Sequence, residues 1–212
     1  MSTVKARRWM WIDFEATGLS EGNDFSRVHP MEVGIILTDF NLNRLAGYTE
    51  VVKMHPAMAE QIRANKFVRE MHTKSGLIRD SVKNATLSLP EIENEIIDML
   101  QEFGEPGEFQ IAGSGVAAYD FPLIKQWMPN LAVWLDYSPA DIGIMRRMAS
   151  RLVGKEIVTH TPASYGAEKL HRAMQDVEGH LEETQKYQEV LRAAFLTESQ
   201  VDDRIQDVEE IL

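Results

Sequence analysis

The stretch RWMWIDFEATGL, residues 8–19, constrains this chain more than any other. Trp9, Met10, Trp11, Ile12, Phe14 and Ala16 make an apolar run of strand length, built from the bulky residues that suit the middle of a sheet. Asp13 and Glu15 interrupt it. One ionised carboxylate in such a setting costs several kcal/mol unless it is paired or bound to a cation. Two residues apart on a strand, both point to one face, so each raises the cost of the other. The run therefore predicts a buried strand with positive charge beside its two acids.

The rest of the first third reads as two more strands. Met31, Val33, Ile35 and Leu37 alternate through MEVGIILTD, and a third strand runs from about Leu45 to Met54, which gives a hairpin-like meander. Residues Pro56 to Glu70 predict a helix. SLPEIENEIIDMLQEFG predicts another, with Ser88 as N-cap, Glu91 three residues on, a stripe of Ile92, Ile96, Ile97, Leu100 and Phe103, and Gly104 as its stop. Beyond it, FQIAG and LAVWL read as strands and Phe121–Trp127 and Ile142–Leu152 as helices, while Ala173–Leu196 reads as one long helix. Strands alternating with helices after an antiparallel start predict an α/β fold, a mixed sheet covered on both faces.

Composition narrows the chemistry. Without cysteine there is no disulfide framework and no thiolate metal site, so a bound metal must be held by oxygen or imidazole. Lys plus Arg is 22 against 33 Asp plus Glu, net −11, which argues against a protein that grips long stretches of nucleic-acid backbone. Much of that excess lies in TESQVDDRIQDVEEIL, where Val201, Ile205, Val208 and Leu212 at helical spacing predict an amphipathic acidic helix at about 197–212. MSTVKARRW has no apolar segment behind its basic residues and no apolar run approaches membrane-spanning length, so a cytoplasmic protein without membrane attachment is expected. With no repeat or linker in view, residues 1–212 are expected to form a single domain.

Three further residues can join Asp13 and Glu15. Asp120 lies in AAYDFPLIKQW, where a strand gives way to a helix, and Asp176 lies in HRAMQDVEGH, five residues after His171. Positions five apart on a continuous helix sit roughly 140° around the axis, so His171 must precede the helix if it is to meet Asp176 in the first turn.

WIDFEATGL, HTKSGL, YDFPLIKQWMP and HRAMQDV together resemble the motifs of the DEDDh 3′-to-5′ exonucleases, and within them the oligoribonucleases. The resemblance implies a ribonuclease H-like fold and hydrolysis of short single-stranded RNA to nucleoside 5′-monophosphates. It implies Asp13, Glu15, Asp120 and Asp176 as ligands of two divalent ions, Mg²⁺ or Mn²⁺, and His171 as the base that takes a proton from water. Hard cations want oxygen ligands, and a pair of them stabilises the charge that develops when a phosphodiester is cleaved. The same resemblance assigns Thr17, Gly18, Leu19, Phe67 and His72 to substrate binding. It assigns Tyr137 to a residue donated across a homodimer.

The chain also departs from the pattern. Phe67 stands where the family has Trp, Ser138 where it has an Arg that caps a 5′ phosphate, and Gly143 and Val116 where it has Ser. Alternatives are a DNA-trimming or proofreading 3′-to-5′ exonuclease and a non-catalytic interaction module that keeps the fold. Other roles compete residue by residue: helix N-cap for Asp120, helix-dipole partner for Asp176, core residue for Phe67, and loop orientation for His72. Glu32 is either a carboxylate supporting the ligands or a solvated side chain, and His180 is a surface imidazole.

Overall fold

The computed structural model describes residues 7–158 and 171–195, so the expected acidic helix at about 197–212 lies outside the described residues. Five strands form one mixed sheet in the order β3-β2-β1-β4-β5. They are β1 (Arg8–Ala16), β2 (Pro30–Thr38), β3 (Arg44–Val51), β4 (Phe109–Gly113) and β5 (Ala140–Asp141). β1 pairs antiparallel with β2 and β2 with β3, which is the expected meander. β1–β4 and β4–β5 are parallel.

β1 is the central strand, and the alternation of its side chains feeds two cores. Met10, Ile12 and Phe14 face the larger core with α1 (Pro56–Ala64), α3 (Leu77–Lys83), α4 (Leu89–Gln101), α5 (Asp120–Trp127) and α6 (Pro129–Ala132). Trp11 faces the opposite side, packed with Ile36 of β2, Ala112 of β4, and Val177 and Leu181 of α8 (Ala173–Phe195). The sheet is thus covered on both faces, as expected. Ile92, Ile96 and Leu100 of α4 are fully buried, and the Glu91 carboxylate accepts the Ser88 N–H at 2.7 Å.

Three sequence expectations fail locally. Pro56–Glu70 is two helices, because Asn65 ends α1 in extended backbone and its side chain then caps α2 (Lys66–Lys74) by accepting from the Val68 N–H at 3.1 Å. LAVWL is not a strand: Pro129 starts the short helix α6 there, and only Leu135 reaches the sheet, as a parallel bridge to Phe109. The strand that follows is β5, leading directly into α7 (Ile142–Val153). His180, expected at the surface, is buried on α8, and α3 has no counterpart among the expected elements.

α8 is seated by a missing side chain. A Cβ on Gly34 would lie 2.6 Å from the Met174 nitrogen and 2.7 Å from the Ala173 carbonyl carbon. The first turn of α8 therefore touches β2 backbone to backbone. Gly34 pairs with Asp13 across the β1–β2 ladder, so this contact brings α8 to the acidic end of β1.

Candidate active site

Asp13 and Glu15 project from the last part of β1 on the face that α8 covers. Glu15 is buried and Asp13 is half-buried. α8 begins at Ala173, so His171 precedes it and Asp176 falls in its first turn, the arrangement required for the two to converge. They do converge: ligand atoms of Glu15, His171 and Asp176 all lie within 4.8 Å of one another. Asp13 and Asp120 stand outside that set but beside it.

Asp120 opens α5 and its Oδ1 accepts the Phe14 N–H at 3.1 Å, between the two β1 acids. Burial pushes its carboxyl up to about 7, with the nearby Asp141 carboxylate adding to the rise. Asp141 in turn fixes the loop after β4. Its Oδ1 accepts from Gly115 N–H at 3.1 Å and from Ile144 N–H at 3.0 Å, capping α7. Tyr119 registers the acidic field directly. Its hydroxyl is raised by burial first and then by Asp120, Asp13 and Glu15, and it donates to the Gly18 carbonyl at 2.7 Å.

The buried acids suit a hard divalent ion. Glu15, Asp120 and Asp176 are each more than nine-tenths buried, and Asp120 accepts a proton far more readily than an exposed aspartate, the signature of a carboxylate short of positive charge. Oxygen donors with a single imidazole make a donor set for a hard divalent ion rather than for a thiolate-seeking metal.

The expected substrate residues divide. Leu19 (81% exposed) and Phe67 (74%) line one cavity of about 580 Å³ together with Thr17 and Gly18. Phe67 is therefore not a core residue. Thr17 is buried and bonds to His29 through both its amide and its hydroxyl, so it anchors the cavity wall. His72 is wholly buried and presents no surface to a ligand. Its Nε2 donates to the Ala16 carbonyl at 2.9 Å, and it ties α2 to β1. Burial lowers its pKa, so the 3.9 Å approach of its Nδ1 to Glu15 is a contact with a neutral ring and not an ion pair. Tyr137 stands 76% exposed on the loop before β5.

The departures have local causes. Val116 is fully buried in the core. A Cβ at Gly143 would meet the Ser114 hydroxyl at 2.7 Å, so Ser114 already fills the space that a serine at 143 would need. Sequence reasoning missed Ser114, Gly34, Tyr119 and Arg172. Only Tyr119 and Arg172, each directly beside a motif acid or imidazole, carried a signal.

A scan against protein-family models finds no match, but curated relatives do. The oligoribonuclease of Leifsonia xyli subsp. xyli is 30% identical over 192 residues, covering 90% of this chain and 86% of that protein. The chain belongs to the oligoribonuclease family. The Mycobacterium tuberculosis oligoribonuclease is 31% identical over 188 residues, covering 88% of this chain and 81% of the relative. The Bos taurus mitochondrial oligoribonuclease is 28% identical over 183 residues, covering 86% and 72%.

Among solved structures, exonuclease I of Methylocaldum szegediense superposes with a TM-score of 0.59 at 18% identity, over 87% of this chain and 41% of that one. Exonuclease I of E. coli in complex with single-stranded DNA gives 0.60 at 14% identity, over 86% and 40%. The likeness is one of fold, the ribonuclease H-like sheet, and the chain spans about two fifths of those exonucleases. No described helix is long and apolar enough to cross a membrane.

Proposed function

We propose that the protein is a 3′-to-5′ exoribonuclease that hydrolyses short RNA to nucleoside 5′-monophosphates with two divalent ions. The observation that carries this reading is the meeting of Glu15, His171 and Asp176 within 4.8 Å, from opposite ends of the chain, in a member of the oligoribonuclease family. Asp13, Glu15, Asp120 and Asp176 would hold Mg²⁺ or Mn²⁺. When bound, such ions neutralise the clustered carboxylates and the phosphate and make water acidic enough to attack at neutral pH.

The chain's own residues do the rest. Leu19 and Phe67 flank the terminal base, and an aromatic face stacks on any base, so sequence preference is low. His171, within 4.8 Å of two of the acids, takes the proton of the attacking water. A homodimer fits the surface of α7, where Ile144, Met148 and Leu152 recur every four residues and stay 44%, 57% and 81% exposed, near in sequence to the exposed Tyr137.

The test is a ladder of RNA and DNA oligomers of two to about ten nucleotides, incubated with Mn²⁺, Mg²⁺ or EDTA. Release of 5′-mononucleotides from RNA only when metal is supplied supports the reading. A preference for DNA would make it a DNA-trimming enzyme, and no hydrolysis under any condition would leave an interaction module.

A further inference from the structure

His171 has a backbone φ of 52°, in the left-handed region that residues with a Cβ avoid. Something must impose that conformation, and the neighbouring residue shows what does. Arg172 spends its guanidinium on two carboxylates. Its Nε donates to both oxygens of Glu32 at 2.9 and 3.0 Å, its Nη2 to Glu32 at 2.7 Å, and its Nη1 to Asp80 of α3 at 3.0 Å. Glu32 also accepts the Ala173 N–H at 3.0 Å, at the first residue of α8.

We propose that Glu32 and Arg172 form a positioning clamp that holds the His171 imidazole against Glu15 and Asp176. This rests on the reading of His171 as the proton acceptor. Glu32 lies directly opposite Glu15 in the β1–β2 register, so whatever is fixed to Glu32 is fixed relative to the acid that His171 must face. A rigid fork bonded on three sides sets the rotation of residue 172, and the peptide on its N-terminal side carries His171. Glu32 is buried and fully engaged, which gives it this task in place of metal ligation.

Arg172→Lys tests the clamp, since Lys keeps the charge and loses the fork while the Glu32–Ala173 bond that seats Asp176 remains. The expected result is a kcat lower by roughly 10- to 100-fold, the scale of an ångström-sized misplacement of a catalytic group. KM and the Mn²⁺-induced rise in Tm should change little, and the far-UV circular dichroism of the metal-free protein should be unaltered. The deciding measurement is the double variant: His171→Ala with Arg172→Lys should be no slower than His171→Ala alone. Independent, multiplying losses would overturn the clamp, as would a wild-type kcat in Arg172→Lys. If Arg172→Lys fails to fold, Glu32→Gln, which keeps one acceptor oxygen, is read by the same pattern. A wild-type rate in His171→Ala would sink the proton-acceptor reading and the clamp together, whereas a slow His171→Ala beside a fast Arg172→Lys would remove the clamp alone.

Discussion

Asp120 shows in one side chain what the site asks of its residues. Without metal its proton affinity is raised by burial, so between the usual aspartate range and about pH 7 the folded protein binds a proton that the unfolded chain does not, and stability falls as pH rises through that window. A divalent ion reverses the penalty by binding only the folded state. Asp13→Ala, Glu15→Ala, Asp120→Ala and Asp176→Ala should each lower kcat by several orders of magnitude, leave a folded protein, and shrink the Tm rise that Mn²⁺ gives the wild type. Full activity in EDTA would rule the site out. His29 behaves with the opposite sign. Its ring packs at 4.9 Å from His55 and 4.6 Å from Trp127, and burial, then the His55 charge, lowers its pKa below the ordinary 6.5. The unfolded chain binds that proton first, so His29 costs stability as pH falls through about 6.5. In EDTA, the Tm advantage of wild type over His29→Gln should therefore narrow between pH 7.5 and 5.5; a gap that stays constant or widens would contradict this.

At the scale of elements, α8 is the part on which the site depends, and Gly34 is what lets it dock. Gly34→Ala would place a methyl group against the Ala173–Met174 backbone, which cannot swing aside as a side chain can. The expected cost is about 1–3 kcal/mol of stability, with a loss of kcat larger than the loss of stability explains, because the first turn of α8 carries Asp176. Chemical denaturation and single-turnover kinetics on one preparation would show both. The same element shows what the sequence could tell. The helix, its start after His171 and the first-turn place of Asp176 were legible because the HRAMQDV spacing allows no other convergence. The sheet order was legible only as a class, since alternation gives strands and not their neighbours. Asn65 and Pro129 went unread as boundaries because a cap is a property of backbone angles that one Asn or Pro merely permits. The Glu32–Arg172 bond was illegible altogether, as nothing in either local pattern points to the other.

For the whole molecule, two expectations concern size. Light scattering at working concentration should give the mass of a dimer, and Met148→Glu on the exposed stripe of α7 should give a monomer; a monomeric, fully active wild type would refute the shared role of Tyr137. Substrate length is the second. The Arg that caps a 5′ phosphate in the family is absent here. Arg146 cannot replace it, being held at 2.6 Å by both oxygens of buried Glu183, and Lys125 sits 3.9 Å over the Phe121 ring. Charge-assisted bonds of that kind carry about 1.5–3 kcal/mol each. RNA of three to seven nucleotides should therefore be degraded within roughly tenfold of the dinucleotide rate, and removing the 5′ phosphate should change kcat/KM by less than about fivefold. A preference above a hundredfold for 5′-phosphorylated dinucleotides would point to Arg147, whose guanidinium reaches back toward Gly143.

The docking of α8 also sets an order of events. β1, β2 and β3 follow one another in the chain and can pair early, whereas His171 and Asp176 meet β1 only once α8, the last described helix, has been made and has closed on the sheet. A chain emerging from the ribosome would thus carry Asp13 and Glu15 without His171 and Asp176 beside them until α8 is made. On the proposed reading of His171 and Asp176, RNA cleavage would begin only when α8 docks, so a copy cut short before it would be unable to cut RNA.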